Sequence, residues 1–276
     1  MVRLRKFSLF LICVCTLLLQ YSFTVSGNEI LRTPDPAKKK ISVKKKAVIR
    51  KTTARKTTAR KTTVRKAAAP LVISNTPFTI KMMSVYDSLK LSEIGLNAKV
   101  FKMALKGMEK LKQQGRILND HILSIVDFSQ PSVNKRLYII DLDNFQLLFN
   151  TLVAHGMRSG KEKAQSFSNK MSSHKSSLGF YVTDAPYIGS NGYSLKLQGV
   201  ERGFNDNAGK RAIVFHGADY VNEEYISSQG YIGRSFGCPA VATEFNQPII
   251  DQIKDGSCLF IYHPSNSYLS ASRMIR

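Results

Sequence analysis

Apolar residues in the middle of the chain recur with the spacing of an amphipathic helix. Their separations of three, four and seven residues place them on one helical face. Asn97 precedes the stripe and can cap the helix, with Leu96 and Phe101 as a hydrophobic staple, and Gly115 ends it. The pattern therefore predicts a helix that packs one face on a core. The stripe comprises Phe101, Ala104, Leu105, Met108 and Leu111.

Shorter apolar runs follow, and glycine and proline residues separate them, as is typical of strands. Seven such runs cover residues 122–128, 137–142, 145–154, 178–183, 193–197, 212–216 and 258–263. Two further segments predict short helices at 222–229, closed by Gly230, and at 243–254, closed by Gly256. Many short strands at even spacing indicate a β-sandwich or barrel. Because the helices are too few for a doubly wound sheet, we expect a mainly β (α+β) fold with accessory helices. A helical segment is expected to precede it.

Positive charge is concentrated in one tract, which changes the meaning of the net charge of +22. Residues 38–66 contain 14 Lys and Arg and no acid, whereas residues 67–276 hold 23 basic and 17 acidic residues. The tract includes a five-residue repeat that begins at Arg50, Arg55 and Arg60. Such a segment cannot bury enough apolar surface to fold. We interpret 28–70 as a basic low-complexity linker. It is either a spacer or, through 38–66, an attachment to an anionic envelope surface, and we expect no nucleic-acid partner.

The first 27 residues have the composition of an export signal. Arg3, Arg5 and Lys6 are followed by the apolar run 7–19 and by small residues up to Gly27. We predict a signal peptide over 1–27 and a place in the periplasm or cell envelope. An uncleaved signal that anchors the protein in the membrane is the alternative.

After cleavage of that signal, Cys238 and Cys258 are the remaining cysteines. Cys258 lies in an apolar run and is expected to be a buried free thiol, with a Cys238–Cys258 disulfide as the alternative.

A candidate nucleophile and base stand 22 residues apart. His216 ends an apolar run and is followed by Gly217, while Cys238 follows Gly237 in a turn bounded by Pro239. A thiol is nucleophilic as thiolate, and a nearby histidine is the usual means of producing one. Gly237 allows a carbonyl group to approach the backbone, where N–H groups can hold an oxyanion. Incidental packing remains an alternative from the spacing alone, and the spacings do not indicate a metal site.

Ordered motifs over residues 83–263 resemble the murein L,D-transpeptidase catalytic-domain (YkuD-like) family, most closely a Gram-negative branch ending in Ser-Phe/Trp-Gly-Cys-Pro-Ala. The resemblance implies that His216 is the general base and Cys238 the nucleophile. It also implies that Ser235 and Gly237 shape the nucleophile turn. Ser235, Phe236, Gly237 and Gly217 are the expected substrate or oxyanion positions. The matching segments are Tyr86-Asp87-Ser88-Leu89, Asp127-Phe128-Ser129, Asn150 through Gly156, Gly203 through Ala208, His216-Gly217-Ala218 and Gly233 through Ala240.

The function implied by the resemblance is cysteine acyl transfer on peptidoglycan stem peptides. The enzyme would form 3–3 cross-links, or attach proteins, through a Cys thioester, without a metal or organic cofactor. A carboxypeptidase or hydrolase on the same scaffold, or a non-catalytic wall-binding module, are the alternatives. The expected organisation places a helical segment at 71–118, the catalytic domain at 119–266 and a tail at 267–276.

Overall fold

Two helices begin the part of the chain that the structure, a computed structural model, describes: residues 75–276. In α1 (Pro77–Ser88) the Thr76 hydroxyl accepts a hydrogen bond from the Thr79 N–H at 3.1 Å. In α2 (Ala98–Gln113) the Asn97 side chain accepts from the Lys99 N–H at 2.8 Å. The predicted helix and its cap are confirmed, and the predicted apolar face of α2 is buried.

Eight strands form one mixed sheet in the order β3-β2-β1-β8-β4-β5-β6-β7. All seven predicted strands are present, and β7 is an addition whose two residues carry too little pattern to be recognised in a sequence. The strands are β1 (Asn119–Asp127), β2 (Leu137–Asp141), β3 (Gln146–Thr151), β4 (Gly179–Gly189), β5 (Gly192–Gly199), β6 (Val214–Gly217), β7 (Ala240–Val241) and β8 (Ser257–Tyr262). The remaining helices are α3 (Glu223–Gln229), α4 (Thr243–Ile253) and α5 (Asn266–Ala271).

The last strand in the chain, β8, lies in the middle of the sheet. It pairs parallel with β1 and antiparallel with β4, and every one of its residues is buried. Burial on both faces explains why its sequence is continuously apolar and does not alternate. Helix α2 lies close to the sheet at Gly107, where an added Cβ would stand 2.1 Å from the Phe180 ring. Gly107 therefore permits a close approach of helix and sheet.

The two edges of the sheet approach each other, so that the sheet is nearly closed into a barrel. The chain leaving β3 reaches β7, where the Ala154 N–H donates to the Ala240 carbonyl at 2.8 Å. Three residues on, the Met157 N–H donates to the Ser235 carbonyl at 2.7 Å. The predicted mainly β fold with accessory helices is confirmed, with a barrel-like sheet.

The two short predicted helices are confirmed as α3 and α4. Gly230 caps α3 in the left-handed conformation, with φ of +83°. The residues predicted as a tail include α5, and Tyr268 and Ile275 there are fully buried. The predicted signal peptide of 1–27 and the predicted linker of 28–70 lie outside the described residues, as does the start of the predicted helical segment, and they remain predictions. Among residues 75–276, no helix has the length and apolar character needed to cross a membrane.

Candidate active site

Pairing between β6 and β7 brings the two predicted catalytic residues into the same neighbourhood. His216 in β6 pairs with Ala240 in β7, in parallel register. Cys238, two residues before Ala240, therefore lies beside Val214, two residues before His216. The Val214 N–H points at the Cys238 sulfur at 3.5 Å, and the thiol points at the Ala212 carbonyl at 3.8 Å. The thiol thus rests against the backbone that leads into β6.

Ser235 holds the turn that carries the nucleophile candidate. Its hydroxyl donates to the Cys238 carbonyl at 2.6 Å and accepts from the Gly237 N–H at 3.0 Å. Gly237 adopts φ of +128°, and an added Cβ would stand 2.8 Å from the Lys175 carbonyl. Of the two N–H groups expected to hold an oxyanion, that of Gly237 is therefore engaged within the turn. The Cys238 N–H has no protein partner among residues 75–276.

Hydrogen bonding determines which nitrogen of His216 can act as a base. Its Nδ1 lies 2.8 Å from the Gly217 carbonyl oxygen, which can only accept, so Nδ1 carries the hydrogen. The neutral ring then presents the lone pair of Nε2. Burial lowers the pKa of His216, and the bond to Gly217 opposes that effect in part. The ring is therefore neutral at neutral pH, in the form that can take a proton.

The two cysteines lie in different surroundings, and neither is in a disulfide. Burial raises the pKa of Cys238, while the Val214 N–H and the charge of Arg211 lower it. Cys258 in β8 is fully buried, and burial alone raises its pKa, far above the ordinary value. Cys238 is thus the thiol that has groups able to stabilise a thiolate, and the disulfide alternative is wrong.

His155, which lies in the matching segment Asn150 through Gly156, contributes hydrogen bonds that hold the fold together. It is completely buried, and its Nδ1 accepts from the Arg136 guanidinium at 2.8 Å. Burial and the charge of Arg136 lower its pKa to about 3, so the ring stays neutral. The His155 carbonyl accepts from the Ser235 N–H at 3.0 Å. His155 therefore connects a buried cation to the nucleophile turn.

Two residues near Cys238 were not predicted from the sequence. Arg211 precedes β6, and Tyr220 follows the His216 segment. Burial and the neighbouring Cys238 raise the pKa of Tyr220 to about 12. The Tyr220 ring packs on Gly233, whose N–H donates to the Tyr220 carbonyl at 2.7 Å. No local sequence signal marks either residue, because folding alone brings them to the turn.

Phe236 extends from the turn into solvent, and its side chain is 69% exposed. Its ring lies 4.7 Å from that of His174, centroid to centroid. These two rings and Arg211 border a cavity of about 250 Å³. A larger cavity of about 880 Å³ borders Val214. Neither cavity is lined by His216 or Cys238, and the smaller one reaches the nucleophile turn through Phe236.

Comparison with known proteins gives a family match over most of this domain. The model of a family described as the L,D-transpeptidase catalytic domain matches residues 92–262. No curated protein matches the chain. Solved structures that match include an L,D-transpeptidase from Mycobacterium smegmatis, with 12% identity, 52% of this chain and 59% of that chain covered and a TM-score of 0.32.

Two further solved structures match at similar levels. An LD transpeptidase in complex with imipenem has 12% identity, with 51% of this chain and 59% of that chain covered and a TM-score of 0.32. An L,D-transpeptidase from Stackebrandtia nassauensis has 11% identity, with 72% of this chain and 99% of that chain covered and a TM-score of 0.31. The chain spans less than two thirds of the length of the Mycobacterium smegmatis enzyme and of the imipenem-bound enzyme.

Proposed function

The chain belongs to the L,D-transpeptidase catalytic-domain family, and we propose that it is a cysteine acyl transferase acting on peptidoglycan stem peptides, with Cys238 as nucleophile and His216 as base. The observation that supports this proposal most directly is the parallel pairing that aligns His216 with Ala240, two residues from Cys238. Both residues also lie inside the range 92–262 that matches the family. Acyl transfer through a thiol requires a base near the sulfur and a donor for the oxyanion.

The first half of the reaction forms a thioester. Nε2 of His216 takes the proton of the Cys238 thiol, and the sulfur attacks the carbonyl carbon of the third residue of a stem peptide. The Cys238 N–H, which has no partner among residues 75–276, is placed to donate to the resulting oxyanion. The C–N bond to the terminal D-alanine then breaks, and protonated His216 gives its proton to the departing amine.

The second half of the reaction transfers the acyl group. An amine from a second stem attacks the thioester carbonyl, His216 takes a proton from that amine, and the sulfur leaves as thiolate. The product is a 3–3 cross-link, and an amine on a protein would yield an attached protein by the same step. The Ser235 bonds to Gly237 and Cys238 keep the turn in one conformation through both halves.

Mass spectrometry of muropeptides distinguishes this proposal from its alternatives. Incubation of the full chain with soluble tetrapeptide muropeptides is expected to yield dimers joined between two third-position residues, with release of D-alanine. Shortened monomers without dimers would instead assign a carboxypeptidase, because water would then be the acceptor. Unchanged muropeptides together with retention on isolated peptidoglycan would assign a wall-binding module and overturn the enzymatic proposal.

We further propose that the protein is exported to the cell envelope and that residues 38–66 attach it to an anionic surface. The 14 positive charges of that tract support the proposal, whereas residues 67–276 are only mildly basic. Removal of 38–66 is expected to weaken binding to anionic vesicles at low salt, because exposed charges are screened over about 10 Å at 0.1 M. Vesicle sedimentation across a salt series measures this. Equal binding by the full and truncated chains would leave the tract as a spacer.

A further inference from the structure

Arg211 is a half-buried cation, and the hydrogen bonds of its guanidinium all reach one loop, residues 168–177. Its Nη1 donates to the Ser168 carbonyl at 2.8 Å and to the Ser177 hydroxyl. Its Nη2 donates to the Lys175 carbonyl at 2.6 Å and to the Ser173 hydroxyl at 3.2 Å. These four acceptors are neutral, so the loop satisfies the donors of the guanidinium without neutralising its charge.

The guanidinium lies directly behind the nucleophile turn. Nη2 is 3.2 Å from the point where a Cβ of Gly237 would stand, and the Lys175 carbonyl that it binds is 2.8 Å from the same point. Any side chain at position 237 would therefore collide with this carbonyl and crowd the guanidinium. Because Gly237 directly precedes Cys238, the cation is held one residue from the nucleophile.

Within residues 75–276, Arg211 makes no ion pair with a carboxylate. The groups that interact with its charge are Tyr181, which burial keeps protonated, and Cys238. Tyr220, whose pKa the neighbouring Cys238 helps to raise, and His216 are both neutral at neutral pH. Among residues 75–276, Arg211 is therefore a fixed positive charge that interacts with Cys238, in addition to the charge that His216 gains when it takes the thiol proton.

We propose that Arg211 is a positioning residue whose charge stabilises the Cys238 thiolate, while the 168–177 loop holds its guanidinium beside the nucleophile turn. This inference rests on the proposed role of Cys238 as nucleophile. Proton transfer from the thiol to His216 creates a negative charge on Cys238, a residue that is only 9% exposed to solvent. Because little water reaches such a buried site, a nearby cation stabilises the thiolate.

Two substitutions separate the charge of Arg211 from its role in holding the loop. Arg211→Lys keeps the charge but cannot reproduce four directed hydrogen bonds, whereas Arg211→Gln removes the charge. The matched control is Lys210→Gln, which removes an exposed cation from the neighbouring position. The experiment measures the rate of alkylation by iodoacetamide against pH in the full chain, with the label located by peptide mass spectrometry. It needs no peptidoglycan, so failure of the wild-type chain to cross-link muropeptides would overturn the proposed function and leave this test intact.

Among residues 75–276 of the wild-type chain we expect one label, on Cys238, and none on Cys258. Arg211→Gln is expected to slow alkylation of Cys238 about tenfold at neutral pH and to displace the rate profile to higher pH, because the thiolate loses its counter-charge. Arg211→Lys should retain the wild-type profile, as should Lys210→Gln. A wild-type profile for Arg211→Gln would overturn the proposal. So would an equal displacement in Arg211→Lys, since that result assigns the effect to the loop and not to the charge.

Cys258 reports on folding in the same experiment, because its thiol is fully buried in β8. Labelling of Cys258 without denaturant would show that a variant has lost its core. If Arg211→Gln is unfolded by this criterion, the comparison of Arg211→Lys with the wild type decides: an unchanged pH profile supports the proposal, and a displaced one overturns it.

Discussion

Replacement of Cys238 by alanine is expected to reduce muropeptide cross-linking by at least about a thousandfold, because the other thiol among residues 75–276, that of Cys258, is fully buried. His216→Ala should cause nearly the same loss, since a buried thiol whose pKa is raised forms little thiolate without a base. The double variant should be no slower than either single variant, because groups that act as a unit have non-additive effects. Single-turnover rates with a tetrapeptide muropeptide measure all three.

Both single variants should remain folded with some loss of stability, because His216 and Cys238 are buried, and their unfolding transitions check this. His174→Ala is a suitable control, since it also removes an imidazole near the turn. Losses that multiply in the double variant would show that Cys238 and His216 act independently, and the assignment of the pair would then be wrong.

The same pair predicts the direction of the pH dependence. His216 must be neutral to accept the thiol proton, and burial lowers its pKa below the ordinary histidine value. Activity should therefore rise as pH increases through that lowered pKa, and the midpoint of this acid limb should lie below the ordinary histidine pKa of about 6.5. An acid limb centred above that value would mean that another group limits the reaction.

Arg136→Met is expected to produce the largest loss of stability, about 3–5 kcal/mol in the free energy of unfolding. The arginine is completely buried, and burial lowers its pKa to about 9, so it remains charged at neutral pH. Its guanidinium donates to the Val153 carbonyl at 2.9 and 3.2 Å and to the Gln130 carbonyl at 2.8 Å. It also donates to His155 Nδ1 at 2.8 Å. Methionine fills similar space but leaves these buried acceptors without donors.

Equilibrium unfolding in urea measures this loss, and Lys135→Met provides the control, because Lys135 is exposed and adjacent in sequence. The control should change stability by less than about 0.5 kcal/mol. At urea concentrations where Arg136→Met remains folded, its turnover should also fall, because His155 is hydrogen-bonded to both Arg136 and Ser235. Equal stability of the two variants would mean that the buried guanidinium contributes no net stabilisation.

The sequence is most informative where a pattern is local. The α2 stripe and its Asn97 cap, the apolar β8 and the Gly230 end of α3 are each read from a few consecutive residues, and each is confirmed. The nucleophile turn is likewise recognisable because glycine at 237 is required by its backbone conformation.

What the sequence does not reveal depends on distant pairing. Arg211 is hydrogen-bonded to the 168–177 loop, whose Lys175 carbonyl lies against Gly237, and the His155 carbonyl accepts from Ser235 across the closing edge of the sheet. Neither relation leaves a periodic signal. The sequence also did not distinguish the Gly237 N–H from that of Cys238, because only the Ser235 rotamer determines which of them is occupied.

The central position of β8 has a consequence for the order in which the protein assembles. While the chain is being synthesised, β1 to β3 and β4 to β7 can form only as two separate sheets, because the strand that joins them comes last in sequence. Bringing together segments that are far apart in sequence closes a long loop, which is slow and entropically costly. The contacts of Ala154 with Ala240 and of His155 with Ser235 both cross between these two sheets. We therefore expect the nucleophile turn to take its final form only after β8 has been inserted.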